Sequence, residues 1–414
     1  MDNNAQLVRE IQEIVSSRID LKQEPSDLEI EGLITNVVFE KSKHSYLSLL
    51  QKQELIKLTF NAMRRLGILQ PLIDDPGITE IMVNGPEHIF IEKNGKVTEL
   101  ALKIESKEKL EDMIQSIVAK VNRSVNEASP LVDARLPDGS RVSVVLAPVA
   151  LNGPILTIRK FPGNPLTMEQ LIAMESLTQE AADFLACIVR ARYNIFICGG
   201  TGSGKTTFLN VLSNFIPEDE RIVTIEDSAE LQITGLKNVV RTEARNANSE
   251  GKGKVTIREL IRMSLRMRPE RIVVGEVRGE ETLDMLQAMN TGHDGSLSTG
   301  HGNSTADMLR RLETMVLLGA SLPLEAIRQQ VASALDIIIH LSRLRDKSRR
   351  VMEISEIAGY KNKEILLNPL FVFEESGETA DGKVAGKLIR TNNPLMNIHK
   401  FKIAGIPIRD YSNH

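Results

Sequence analysis

The sequence predicts a multidomain α/β protein with two α/β units in series behind a helical leader, and three observations predict it. The apolar run Asn194–Cys198 enters a glycine-rich octapeptide, Gly199–Thr206, and the helical pattern Thr206–Leu212 leaves it. That is the strand, loop and helix order of a phosphate-binding turn. After residue 167, buried strands alternate with amphipathic helices, as in a mostly parallel sheet. Residues 68–160 show shorter strands joined by tight turns, and 414 residues exceed one ordinary core.

Residues 1–66 read as a helical bundle. Leu7, Ile11, Ile14 and Val15 recur at helical spacing; so do Leu28, Leu33, Ile34, Val37 and Val38; so do Leu47, Leu50, Leu55, Leu58 and Met63. Gly67 stops the third helix. The bundle reads equally as a packing tether and as a docking module.

Residues 67–160 form the middle α/β domain. Strands over Ile78–Val83 and Ile89–Glu92 flank Asn84-Gly85-Pro86, and Lys93-Asn94-Gly95 turns into a third. Leu110, Met113, Ile114, Ile117, Val118 and Val121 make one helix face. Pro137-Asp138-Gly139 parts the strands Val132–Leu136 and Arg141–Leu146, and Ile155–Arg159 follows.

Two prolines and a glycine in Phe161-Pro162-Gly163-Asn164-Pro165 oppose both helix and sheet, so 161–167 is the linker. Residues 168–365 hold the larger unit, with further strands at Arg221–Ile225, Arg271–Val274, Asp336–His340 and Val351–Ile357. Its helices include Ile257–Met267 and Thr282–Met289, and 366–414 reads as a peripheral hairpin and tail.

Composition excludes several classes. With 42% hydrophobic and 26% charged residues the chain is globular. A net charge of −4 argues against wholesale nucleic-acid binding. The acidic start has no signal peptide, and no run of about 18 apolar residues spans a bilayer. Cys187 and Cys198 are not a CxxC pair, so neither a disulfide framework nor a zinc module is expected. These features point to the cytoplasm.

The octapeptide Gly199, Gly200, Thr201, Gly202, Ser203, Gly204, Lys205, Thr206 satisfies the phosphate-loop pattern, with Thr207 next on the helix. Its backbone N–H groups curl round phosphates, Lys205 bridges the β- and γ-phosphates, and Thr206 takes a Mg²⁺ position. Glu226, Asp227 and Glu230 follow a buried strand. They either orient waters around Mg²⁺ or form a solvated acidic turn. Glu276 ends the strand Arg271–Val274 by way of Gly275, where a water-activating carboxylate belongs. His293 and His301 lie in what reads as a polar glycine loop and are candidates for contacting phosphate; metal binding lacks an evident third ligand. Arg135, Arg141 and Arg159 of the middle domain, with Arg241 and Arg245 in a polar loop, are candidates for phosphate recognition, at least two of the five reaching nucleotide.

In this order the motifs resemble the secretion ATPases of type II and type IV systems. GGTGSGKT (199–206) looks like their Walker A box, TIEDSAEL (224–231) their aspartate box, RPERIVVGEVRGEE (268–281) their Walker B region and GHDGSLSTGHGNS (292–304) their histidine box. LIDDPGITEIMVNGPEHIFIEKNGKV (72–97), DARLPDGSRVSVV (133–145) and the stretch 248–296 resemble the Tad-type (tight adherence, Flp pilus) assembly ATPases, also called CpaF-like. The resemblance spans roughly residues 65–360.

It implies a RecA-like P-loop ATPase domain behind a small PAS-like α/β domain and the helical bundle. It implies ATP and Mg²⁺, and a homohexamer in which the middle and ATPase domains of neighbouring subunits enclose the nucleotide. It also implies a cytoplasmic motor, peripheral at the inner membrane, that docks on a platform protein to add or remove pilins without contacting nucleic acid. Carried over by position, Lys205 and Thr206 bind phosphate and Mg²⁺, Glu226 and Glu230 are the aspartate-box acids, Glu276 is the catalytic glutamate and His301 the γ-phosphate contact. Arg135, Arg141 and Arg159 match basic positions of the middle domain.

The alternatives are a type IV secretion ATPase moving DNA or protein, a nucleotide-gated scaffold and a RecA-type DNA translocase. Two departures from the family pattern stand out. Gly300 and Gly302 flank His301, and Asn246-Ala247 stand where proline is usual. They predict a loosened histidine loop and a less constrained 241–248 loop.

Overall fold

The computed structural model describes residues 2–407 apart from 20–24, 44, 45, 94, 122, 137, 162, 164 and 248–250, with side chains from residue 6 onward. Expectations placed on Asn94, Pro137, Pro162, Asn164, Asn248 and the last seven residues of the tail, 408–414, lie outside the described residues. The chain divides into two compact units, Met1–Gly163 and Asn164–His414.

In the first unit, helices α1 (Asp2–Arg18), α2 (Asp27–Lys41) and α3 (Leu49–Arg64) pack around Ile11, Val15, Ile30, Ile34, Val37, Val38 and Leu55. Reciprocal hydrogen bonds between Ser26 and Glu29, and between Ser48 and Gln51, satisfy first-turn N–H groups of α2 and α3. Leu28 and Leu50, two of the apolar residues that recur at helical spacing, are 81% and 78% exposed. Each lies well round its helix from the buried positions Ile30 and Leu55.

After the short α4 (Gln70–Asp74) come β1 (Ile78–Asn84), β2 (His88–Lys93), β3 (Lys96–Leu100), β4 (Leu131–Arg135), β5 (Arg141–Val145) and β6 (Ile155–Arg159). They form a six-stranded sheet in the order β3-β2-β1-β6-β5-β4, with every pair antiparallel. Its apolar face shares one core with Leu110, Ile114, Ile117 and Val118 of α5 (Lys107–Ala119).

In the second unit, α6 (Met168–Ala173) and α7 (Gln179–Arg190) precede β7 (Ile195–Gly199), which feeds the glycine loop and α8 (Lys205–Ser213). Then follow β8 (Ile222–Glu226), β9 (Val239–Glu243), α9 (Ile257–Ser264), β10 (Arg271–Val274), α10 (Glu281–Asn290) and β11 (Leu297–His301). Helices α11 (Thr305–Gly319) and α12 (Leu324–Ala334) lead to β12 (Ile337–Arg343), β13 (Arg349–Lys361), β14 (Glu364–Glu378) and β15 (Val384–Arg390). The nine strands order as β15-β14-β13-β12-β7-β11-β10-β8-β9. From β12 to β9 all neighbours are parallel; β13, β14 and β15 extend the sheet antiparallel. Ile195 and Ile197 join one core and Phe196 and Cys198 the other, so β7 is buried on both faces, as a parallel sheet requires.

Three expectations need correction. The hairpin expected over 366–390 is present as β14 and β15, but it is continuous with the central sheet and forms its outer edge, and the helix α13 (His399–Ile403) buries Phe401 against Tyr193. The segment read as a glycine loop contains β11, a strand between β7 and β10. Arg241 lies in β9, not in a loop.

One buried ion pair ties the sheet's amino-terminal ends together. Arg271 is 0% exposed, and its guanidinium donates to Glu220 Oε2 at 2.5 Å and Oε1 at 2.8 Å, and to the Val189 carbonyl at 2.6 Å. Glu220→Ala is expected to cost about 3–5 kcal/mol in urea unfolding, because it strands a buried charge. A loss below about 1 kcal/mol would mean that this arginine is solvated in solution.

Candidate active site

Gly199 ends β7 between His301 of β11 and Leu341 of β12. A Cβ there would lie 2.4 Å from the Leu341 carbonyl oxygen and 2.5 Å from Ser203 Oγ, so only glycine fits. Gly202 and Gly204 adopt φ of +71° and +94°, backbone that glycine takes without strain. Gly204 then opens α8 with no side-chain cap, which leaves first-turn N–H groups pointing out of the helix for an anion. Ser203 donates its hydroxyl to the Gly200 carbonyl at 2.9 Å. Gly200 and Thr201 are exposed, and Thr206 and Thr207 are half-buried on the first turn of α8.

Lys205 is buried, and its ammonium donates to the carbonyls of Gly199 and Gly200, each at 3.1 Å, and meets His301 Nδ1 at 3.3 Å. The other ring nitrogen of His301, Nε2, lies 3.0 Å from Glu276 Oε1. A lysine donor at Nδ1 leaves the proton on Nε2, directed at the carboxylate. Burial, with Lys205, Arg278 and Arg311 adding to it against Glu276, holds the imidazole below its ordinary pKa. Burial lowers Lys205 likewise, opposed by Glu276.

Glu276 also accepts from Arg278 Nε at 3.1 Å, and Arg278 reaches Asp227 at 3.7 Å. Thr299 fixes the segment that carries Glu276: its hydroxyl donates to the Gly275 carbonyl at 2.6 Å, and its own carbonyl accepts from Val277 N–H at 3.0 Å. Neither Thr299 nor Arg278 was singled out from sequence: both lie inside the quoted Walker B and histidine boxes, but only the fold brings them to Glu276 and Gly275.

The glycines around His301 do not loosen it. A Cβ at Gly300 would lie 2.9 Å from the Phe196 ring, and one at Gly302 3.0 Å from Met308 Sδ. Both glycines permit close packing beneath the histidine, and His301 is held in strand register. His293 is not part of this group: it lies beyond the opposite end of β11 and contacts the Ala288 carbonyl at 3.1 Å.

Glu226 is only 2% exposed. Its Oε2 accepts from the N–H groups of Glu230 and Leu231, both at 2.7 Å, while buried Oε1 has no hydrogen-bond partner among the described residues. It therefore shapes the acidic turn, and Gly275 makes room for it, since a Cβ there would lie 3.1 Å from Glu226 Cγ. Burial raises its pKa to about 7 against those two N–H bonds and Arg241. Among the described residues no three acidic, histidine or cysteine side chains converge to cage a metal. The Thr206 hydroxyl and the unpartnered Glu226 oxygen are donors of the type that Mg²⁺ takes, an ion that needs few protein ligands and relies on phosphate and water oxygens.

Arg241 donates to the Leu231 carbonyl, and Arg245 bridges to Val255 and lies over Gly253. In the first unit, Arg135, Arg141 and Arg159 are directly opposite one another on β4, β5 and β6. Arg141 pairs with Asp133 at 2.6 Å and Arg135 lies over the Phe161 ring. Three like charges in one cross-strand row are costly, and the row was invisible before the register was known.

A raised carboxyl pKa has a sign in stability. Glu226 favours folding fully below its unfolded pKa of about 4.3, and that contribution, roughly 4 kcal/mol, is lost as pH rises through 7. Glu226→Gln cannot ionise, so its thermal midpoint is expected to gain on wild type between about pH 5 and about pH 8. A difference that stays flat over that range would place this carboxyl in water.

Residues 63–382 match the family described as type II/IV secretion system protein. A Mycobacterium tuberculosis protein provisionally named a conjugal transfer protein is 37% identical over 295 residues, covering 70% of this chain and 83% of that one. The type IV secretion system protein VirB11 of Brucella abortus is 33% identical over 300 residues, covering 66% and 83%. The crystal structure of the pilus retraction motor PilT with bound ADP, 19% identical, has a TM-score of 0.51 over 82% of this chain and 87% of its own, a likeness of fold. Taken with the strand, phosphate loop and helix at Ile195–Ser213, these matches make the chain a P-loop ATPase of the type II/IV secretion system family.

Proposed function

We propose that this chain is the ATP-hydrolysing motor of a type IV-like secretion or conjugation machine, and the line Lys205–His301–Glu276 carries the reading. ATP would lie along the phosphate loop with its β- and γ-phosphates against Lys205 and the amides that open α8. Glu276 would take the proton of the attacking water, oriented by His301 and Arg278, which share its Oε1. With Nε2 directed at Glu276 and Nδ1 accepting from Lys205, His301 would sense the terminal phosphate through the Lys205 ammonium that the two share. Mg²⁺, held by Thr206 and through water by Glu226 and Glu230, would neutralise charge on the β- and γ-phosphates. In a partly dry site these fixed charges act more strongly than in bulk water.

The names of the relatives, conjugal transfer protein and VirB11, support movement of a macromolecular substrate. The Tad-type segments at 72–97 and 133–145 keep a pilus assembly motor as the second reading. Under both, the protein acts as a homohexamer in the cytoplasm beside an inner-membrane platform protein. The domain bounds 1–66, 67–160, 168–365 and 366–414 are proposed as its working parts, the last moving with the sheet it extends. The arginine row of the first unit, and Arg241 and Arg245 of the second, are proposed phosphate contacts.

Glu276→Gln is expected to retain ATP binding while lowering phosphate release at least about 100-fold; undiminished hydrolysis would remove the assignment. Deleting the gene in its host distinguishes the two machines. Loss of conjugal transfer or of export with piliation intact supports the first reading, and loss of surface pili alone supports the second.

A further inference from the structure

The Lys205–His301–Glu276 group occupies one side of the phosphate loop. In the strand register, His301 of β11 lies beside Gly199 on that side and Leu341 of β12 on the other. Strand β12 runs two residues past Leu341 to Arg343, roughly 6–7 Å further along the strand. There Arg343 is directly opposite Arg349, the first residue of β13.

Two guanidinium groups facing each other across an antiparallel pair repel, and both are turned to the loop. Arg349 Nε donates to the Gly202 carbonyl at 2.9 Å. A Cβ at Gly202 would lie 3.9 Å from Arg343 Nη1, and one at Gly204 3.4 Å from Arg349 Cδ. Arg343 is exposed and makes no hydrogen bond or ion pair among the described residues. The next arginine of the same hairpin, Arg345, is instead spent on Glu375 and Glu378, each at 2.6 Å.

We propose that Arg343 and Arg349 are a second phosphate-recognition element, serving the nucleoside end of the bound nucleotide. This rests on the nucleotide reading above. If the terminal phosphate points to His301, the α-phosphate and the nucleoside lie toward β12. Arg343 is the anion contact there, its fork matched to two phosphate oxygens. Arg349 is a positioning residue: by pulling the Gly202 carbonyl outward it keeps the loop's amides turned inward to the phosphates. The hairpin between β12 and β13 thus closes the side of the loop that the catalytic group leaves open.

The two ends of the site respond differently to a missing γ-phosphate, which gives the test. Calorimetric titration with ADP and with the slowly hydrolysed analogue ATPγS, in the full chain with Mg²⁺, should show Arg343→Ala weakening both by about the same factor, near 10-fold. The KM for ATP should rise with kcat held within about 2-fold. Arg343→Lys should recover part of the loss, Arg349→Ala should weaken both nucleotides in parallel, and Arg345→Ala should bind both as wild type does. Unchanged affinity in Arg343→Ala, or a loss confined to ATPγS, overturns the proposal. A wild-type chain that binds neither nucleotide would overturn the nucleotide reading itself.

Discussion

Where β7 ends, the backbone has no space for even one extra carbon. The Leu341 carbonyl and the Ser203 hydroxyl both lie within 2.5 Å of where a Cβ on Gly199 would stand. That tightness keeps His301, Gly199 and Leu341 of three neighbouring strands in one row. The rest of the site inherits its placement from the row. The loop leaves it in the left-handed turns of Gly202 and Gly204, Lys205 folds back onto the carbonyls of Gly199 and Gly200, and His301 arrives within reach of both Lys205 and Glu276.

Charge is then arranged around the row by burial. Desolvation works against the ammonium of Lys205 and the imidazolium of His301, while Glu276 opposes it for each. Glu226 carries the opposite problem, a carboxylate enclosed beneath the acidic turn with one oxygen capping two N–H groups and the other unmatched. Of these groups Glu226, raised to about 7, is the one held where a small change in nearby charge alters protonation. Nucleotide hydrolysis produces such a change at the terminal phosphate.

Much of this was legible in the sequence, for identifiable reasons. Ile-Phe-Ile-Cys and Arg-Ile-Val-Val are apolar runs with strong strand character, and the phosphate loop has a fixed spacing, so β7, β10 and α8 were placed to within a residue or so. Strand β11 was not, because Leu-Ser-Thr-Gly-His carries small polar residues that read as loop. Its burial comes from the neighbours on either side, which no local pattern encodes. The glycines beside His301 were misjudged for the same reason: freedom was inferred where packing against Phe196 and Met308 leaves none. Arg343 and Arg349 meet only across a strand pair, and the arginine row of the first sheet only across three strands. Register is a long-range property, so neither was visible in the linear chain.

The antiparallel extension of the large sheet has a bearing on solubility. Adding β13, β14 and β15 moves one outer edge away from the phosphate loop and leaves β9 as the other. An outer strand offers unpaired backbone groups to any passing chain and invites sheet-to-sheet stacking. Here the outermost strands carry Lys387 and Arg390 on one side and Arg241 and Glu243 on the other. Seating another chain's strand along either edge would crowd and desolvate those charges, so the outer strands discourage the protein from polymerising through its edges.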